Sequence, residues 1–259
     1  MTTDSVRADL VELLEREGFV AAEEDAADLL ARADGDRALL GRLVERRLKG
    51  EPIAWIIGAT TFCGQRVLVE PGVYVPRWQT EPLARRAVER LPIAGVAVDV
   101  CTGSGAVAAV LATARPTAHV IATELDDVAV ACARANGVDV HQGDLLDPLP
   151  DDLLGRVDVV VAVVPYVPTP ALPFLQRDTF TFETGLSYDG GPDGTDLLRR
   201  VAADARRYLR PGGALLLELG GDQADQLGEE LTRLGYVDQA VTFDQDADPR
   251  GIEATYQPT

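Results

Sequence analysis

Lysine is almost missing from this chain. Lys49 is the only one, and arginine supplies the rest of the 24 basic residues. Basic charge is scarce altogether: 42 residues are acidic and the formal net charge is −18. Wrapping nucleic-acid phosphates or coating an anionic membrane needs a basic face, and no Lys/Arg block provides one. Neither kind of partner is expected. Cysteine is also scarce. Cys63, Cys101 and Cys132 form an odd, widely spaced set with no Cys-x-x-Cys pair. That excludes a disulfide scaffold and suits the reduced thiols of a cytoplasmic protein. The two histidines, His119 and His141, lie too far from any cysteine pair to suggest zinc, so no metal is expected. No apolar run reaches about 18 residues, so no membrane span is expected. The first residues, MTTDSVRADL, are acidic and lack the apolar stretch of a signal peptide. What remains is an ordinary globular composition, 46% hydrophobic and 25% charged over 259 residues. That is enough for one large domain, or a modest domain with a smaller companion.

The patterning changes twice along the chain. Up to residue 50, apolar residues recur at helical spacing: Leu10, Val11, Leu13 and Leu14, then Ala27, Leu29 and Leu30, then Leu39, Leu40, Leu43 and Val44. Acidic or glycine-bearing turns separate them, which predicts a small helical domain over 1–50. From 51 to 75 the residues are β-branched, aromatic and punctuated by glycine, and Gly64 marks the turn of a linking β-hairpin. From 76 to 259 strands and helices alternate. Strands are expected at 96–100, 119–123, 139–142, 157–164 and 214–219, and helices at 106–114, 126–136 and 195–209. Such alternation predicts an α/β fold with a mainly parallel, doubly wound sheet. The run at 157–164 is nearly all valine, as a strand buried on both faces should be.

Three signals sit at the ends of successive strands. Asp99-Val100-Cys101-Thr102-Gly103-Ser104-Gly105 follows a strand and opens a helix. Glycines there let a ligand approach the backbone, and the helix start offers free N–H groups. An empty tight turn would look the same. No Gly-Lys-Ser/Thr follows, so a Walker loop is excluded. Ala108 stands where a dinucleotide fingerprint has its third glycine, so NAD stays open on this motif alone. Glu124 ends the next strand about 20 residues on, where a carboxylate accepts from both hydroxyls of a ribose. It would equally suit the start of the helix that follows. Asp144 follows the third strand, where an acid can accept from an adenine amine, and is otherwise a solvated loop acid. In series, the three describe one adenosine-bearing ligand lying across the crevice of the sheet.

These residues resemble the class I S-adenosylmethionine-dependent methyltransferases. More narrowly, the chain resembles the HemK-like protein-glutamine N-methyltransferases, which methylate peptide release factors. The likeness runs over nearly the whole chain. It includes Glu51 through Gly58, Phe62-Cys63-Gly64, Val75-Pro76-Arg77-Trp78-Gln79-Thr80-Glu81 and the loop Asp99–Gly105. It continues through Gly190-Gly191-Pro192-Asp193-Gly194 and Leu209 through Gly213 to Glu218 and Gln223. The resemblance implies a Rossmann-like methyltransferase domain and S-adenosylmethionine as cofactor. It implies that Asp99, Thr102, Gly103 and Gly105 form the cofactor loop, with Glu124 on the ribose and Asp144 on the adenine.

The departures fall in the acceptor half. The family carries Asn-Pro-Pro-Tyr after its fourth strand, and this chain has Val163-Val164-Pro165-Tyr166. The resemblance implies that the asparagine and a neighbouring carbonyl hold the amide that is methylated, while the aromatic ring stacks on it. Valine has neither donor nor acceptor. Losing one such hydrogen bond costs about 1–3 kcal/mol, and losing alignment can cost more. Trp78 replaces the family's proline beside Arg77. Val163, Pro165 and Tyr166 are thus the expected catalytic pocket, with Phe62, Arg77, Trp78 and Glu183 as substrate walls. Three readings follow. The first is a methyltransferase with a changed acceptor, a small molecule or peptide, in secondary metabolism. The second is a glutamine methyltransferase that tolerates Val163. The third is a non-catalytic cofactor-binding protein, against which the retained loop, Glu124 and Asp144 argue.

Overall fold

A computed structural model describes residues 3–175, 182, 183, 185–244 and 246–258. Its first three helices are α1 (Thr3–Arg16), α2 (Ala22–Ala33) and α3 (Arg37–Leu48). Leu10, Leu14, Leu29 and Leu43 bury against one another and against Ile56, so these helices share a core of their own. Asp36 caps α3 by accepting from the amides of Ala38 and Leu39, each at 2.9 Å.

The linking segment opens as a short helix, α4 (Ile53–Ile57), not as a strand. Ile56 faces the helical core, while Ala54 and Trp55 pack with Val69, Val73, Val75 and Cys132. Strands β1 (Ala59–Phe62) and β2 (Gln65–Leu68) then form the expected antiparallel hairpin. Its turn is Cys63-Gly64, both at positive φ. Asn136 holds Leu68 from both sides, accepting from its amide at 2.8 Å and donating to its carbonyl at 2.9 Å.

The remaining chain builds a seven-stranded sheet: β3 (Val96–Val100), β4 (His119–Glu124), β5 (Asp139–Gln142), β6 (Val157–Ala162), β7 (Leu209–Glu218), β8 (Tyr236–Phe243) and β9 (Pro249–Tyr256). The spatial order is β5-β4-β3-β6-β7-β9-β8, parallel except for β9. Among the described residues five helices flank it: α5 (Glu81–Arg90), α6 (Ala106–Ala114), α7 (Asp127–Ala135), α8 (Asp196–Tyr208) and α9 (Gln223–Arg233). Val159 and Val161 of β6 pack beneath α5 and α6, while Val160 and Ala162 pack beneath α8. Both faces are covered, which is why this strand carries valine without polar alternation.

Two boundaries differ from the sequence expectation by more than one residue. Strand β6 stops at Ala162, so Val163 and Val164 lie in the loop beyond it. Pro165, which lacks an amide hydrogen to donate, follows closely. Strand β7 begins at Leu209 and runs through Pro211-Gly212-Gly213. A register shift opposite Val157/Val159 absorbs the extra residues. Helices α5 and α9 and strands β8 and β9 lie in stretches that the sequence reading left unassigned. Strand β8 is an edge with only Tyr236 buried, so it carries no strong alternation. Among the described residues, no helix is long and apolar enough to cross a membrane.

Candidate active site

The strand order reverses direction at β3, because β4 and β5 lie on one side of it and β6 and β7 on the other. Such a switch point opens a crevice at the carboxyl ends of the strands. Here it holds a cavity of about 1020 Å³, at the upper end of the range for small-molecule sites.

One end is built by the loop after β3. Asp99 is buried, and its Oδ2 accepts from the Thr102 hydroxyl at 2.5 Å and from the Ala108 amide at 3.0 Å. It thereby ties the loop to the start of α6. Burial pushes its pKa up to about 7, against the lowering effect of those two donors. Gly105 has φ +84, and a Cβ there would lie 2.7 Å from Val138 Cγ2. It lets α6 start close to α7 and does not line the cavity. Gly103 does line it, and the place of a Cβ there is empty space. Ser104 is buried on the cavity wall, and its hydroxyl has no partner among the described residues. Glu124 accepts from Gly103 N at 2.9 Å through Oε2, and from Leu125 N and Asp126 N through Oε1. A carboxylate has about four lone-pair sites, so acceptor capacity is left for hydroxyls. Asp144 lines the same end, where it meets Arg200. An open cradle over Gly103, an orphaned hydroxyl and two carboxylates fit the amino-acid, ribose and adenine parts of S-adenosylmethionine.

The other end is apolar and aromatic. Phe62, Val73, Tyr74, Val163, Pro165, Tyr166 and Tyr188 line it. Tyr166 donates from its hydroxyl to Glu218 Oε1 at 3.0 Å, and its backbone carbonyl accepts from Gln223 Nε2 at 2.7 Å. Gly194 is required beside this loop, because a Cβ would lie 2.3 Å from the Tyr166 carbonyl oxygen. Burial raises the Glu218 carboxyl above its usual range, with the Thr80 and Tyr166 hydroxyls opposing. Burial pushes Tyr74 up to about 12, with Arg77 opposing. Burial, with the Glu218 charge adding to it, also raises the Tyr166 phenol, so both phenols stay protonated at neutral pH.

Arg77 and Glu183 do not line the cavity and instead brace it. Their ion pair spans 2.6 Å, Glu183 also accepts from Val75 N at 3.0 Å, and the Tyr188 hydroxyl bonds to Glu183. Trp78 is 60% exposed and lies off the cavity wall. Thr102, Phe62, Val163, Pro165 and Tyr166 stand on the wall. The sequence reading missed Tyr74, Tyr188, Glu218 and Arg200. Glu218 and Gln223 carried a signal as matches to the family's C-terminal half. Among the described residues, no cluster of histidine, cysteine and acidic side chains could hold a metal ion.

No family model matches the chain. A release factor glutamine methyltransferase of Geobacter sulfurreducens is 37% identical over 217 residues, spanning 82% of this chain and 74% of that protein. A 4-amino-L-phenylalanine/4-methylamino-L-phenylalanine methyltransferase of Streptomyces pristinaespiralis is 37% identical over 234 residues, spanning 86% and 78% respectively. The crystal structure of a ribosomal protein L11 methylase from Lactobacillus delbrueckii subsp. bulgaricus superposes with a TM-score of 0.51 at 16% identity, covering 73% of this chain and 84% of that one. That likeness bears on the fold alone.

Proposed function

Because this chain belongs to the HemK-like release factor glutamine methyltransferase family, we propose that it serves a changed acceptor, a small molecule or peptide with an apolar, aromatic surface. The chain is an S-adenosylmethionine-dependent methyltransferase of Rossmann-like α/β fold. The bound cofactor supplies a methyl group already activated on a sulfonium. In this reading the protein binds, orients and excludes water, and needs no dedicated base. Gly103 and Ser104 hold the amino-acid end, Glu124 the ribose and Asp144 the adenine. Asp99, Thr102 and Gly105 keep that loop in shape. Tyr166 and Pro165 shape the acceptor end, with Phe62 beside them and the Arg77–Glu183 pair behind. The reading divides the chain into a helical domain (1–50), a linking hairpin (51–75) and a catalytic domain (76–259). It sets the enzyme in the cytoplasm, without a nucleic-acid or membrane partner.

The observation that carries it is Val163 on the cavity wall, in the loop beyond β6. An apolar wall leaves the hydrogens of a primary amide unpaired, which a buried site penalises. It favours a flat apolar group, which the Tyr166 ring can stack on. The relative that methylates 4-amino-L-phenylalanine supports such an acceptor. The second reading, transfer to a release-factor glutamine, is supported by the Geobacter relative and by the retained Tyr166.

A tritium-transfer assay separates the two. A release factor carrying its Gly-Gly-Gln tip is compared with 4-amino-L-phenylalanine as probe acceptors. Slow or no transfer to the glutamine, and measurable transfer to the aromatic amine, are expected. Efficient transfer to the glutamine would overturn the changed acceptor and restore the second reading.

A further inference from the structure

The adenine end of the cavity carries one basic side chain. Among the described lining residues Arg200 is the only cation, and the acids that act on it are Asp144, Asp204 and Asp147. Arg200 Nη2 lies 2.7 Å from Asp144 Oδ2, and both side chains are half exposed. The Asp144 Oδ1 atom takes no protein hydrogen bond among the described residues.

Neither partner sits on a loose element. Beyond β5 the chain turns sharply at Leu145, which has φ +48 and also lines the cavity. It then packs Leu146 and Leu149 into the core cluster that holds Leu198, Val201 and Ala205 of α8. The Tyr208 hydroxyl donates to the Leu146 carbonyl at 3.3 Å, a second tie between the two segments. Leu197, one turn before Arg200, lies on the cavity wall too. The fold therefore delivers the guanidinium and the carboxylate to each other across 56 residues of sequence.

We propose that Arg200 determines base specificity at the adenine subsite, by holding Asp144 as an oriented anion whose free oxygen selects a purine bearing an exocyclic amine. This rests on the reading of Asp144 as the adenine-binding acid. The guanidinium carries donors only, so it takes Asp144 Oδ2 as an acceptor and fixes the direction of the carboxylate. An exocyclic amine can donate to Asp144 Oδ1. A keto oxygen at the same place would face the carboxylate, acceptor against acceptor. A site built to bond an N–H rejects the analogue that lacks it far more strongly than an apolar pocket would. A half-exposed ion pair with no such role adds little by itself and would leave base preference unmoved.

The test uses titration calorimetry on the full chain and needs no acceptor. Two ligands are compared, S-adenosylhomocysteine and its deaminated analogue S-inosylhomocysteine. The wild type is expected to prefer the adenosyl ligand by at least about tenfold. Arg200→Ala should weaken that ligand by roughly three- to tenfold and cut the preference to about threefold or less. Arg200→Lys should recover most of the preference, because an ammonium can still pair with Asp144. Circular dichroism checks that each variant is folded. Asp144→Asn should abolish the preference, because an amide can also donate to a keto oxygen.

If Asp144→Asn loses affinity and preference while Arg200→Ala keeps the wild-type preference, the role of Arg200 is overturned and the reading of Asp144 stands. If Asp144→Asn changes neither, that reading fails and the inference fails with it.

Discussion

Val163 and Asp99 act at opposite ends of one cavity, and each can be tested by a single substitution. Val163 makes the proposed acceptor wall apolar. Val163→Asn would restore a donor and an acceptor beside Tyr166. It is expected to raise transfer to a release-factor glutamine by about tenfold or more, and to lower turnover of an aromatic acceptor. The tritium assay measures both, and an unchanged ratio would remove Val163 from the specificity argument. Asp99 makes a prediction about pH. Its carboxyl titrates near 7 in the folded chain, against 3.8 as its ordinary value. Between those values the folded chain keeps a proton that the unfolded chain has released. Its contribution to stability is therefore fully present at low pH and declines as pH rises from about 4 to about 7. Asp99→Asn keeps an oxygen that can accept from Thr102 and Ala108 but cannot ionise. Urea unfolding at about pH 5 and about pH 7.5 should show a shallower loss of stability in the variant. Equal slopes would contradict the buried acid.

The loop after β6 is the element that turns a generic fold into this site. It is held from three sides. Gln223 of α9 donates to the Tyr166 and Asp193 carbonyls and accepts from Gly220 N. Gly194 admits the Tyr166 carbonyl at a distance no side chain would allow. The amide of Val167 donates to the Tyr188 carbonyl at 2.9 Å. Gln223 is buried, so its removal leaves backbone groups without partners. Gln223→Ala should cost about 1–3 kcal/mol of stability. It should lower turnover more than it weakens S-adenosylhomocysteine binding, because the loop lines the proposed acceptor end. A drop in cofactor affinity as large as the drop in rate would contradict this division. The helices that escaped the sequence reading, α5 and α9, carry arginines and glutamates between their buried leucines and alanines. Their burial is decided by the sheet beneath them, which the local pattern does not show.

Over the whole molecule, net charge decides what the surface can attract. At −18, with its basic residues scattered, the protein should not bind duplex DNA or tRNA at about 150 mM salt. A gel shift at sub-micromolar protein would refute this. The charge does not hinder a cationic ligand. Acids on the cavity wall, among them Glu124, Asp126, Asp127, Asp144 and Asp189, suit a sulfonium-bearing cofactor, with Arg200 as a counterweight.

The sequence by itself determined the alternation of strands and helices and the parallel sheet, and it marked the residues proposed to hold the cofactor. These rest on short-range signals: valine runs, a glycine loop opening a helix, and acids at strand ends. Each is local because adjacent residues share one element, and the carboxyl ends of parallel strands must lie on one side of a sheet. It also exposed the swap at Val163, since that motif is contiguous. Only the tertiary structure decided which distant side chains pair along and behind the cavity wall. Arg77 and Glu183 are 106 residues apart, Tyr166 and Glu218 are 52, and Asp144 and Arg200 are 56. It also turned Trp78 out to solvent and set Gly105 against α7 instead of the cavity. Such pairings depend on how the faces of the sheet are covered and where chains cross its edge, and no periodicity along one stretch of sequence encodes them.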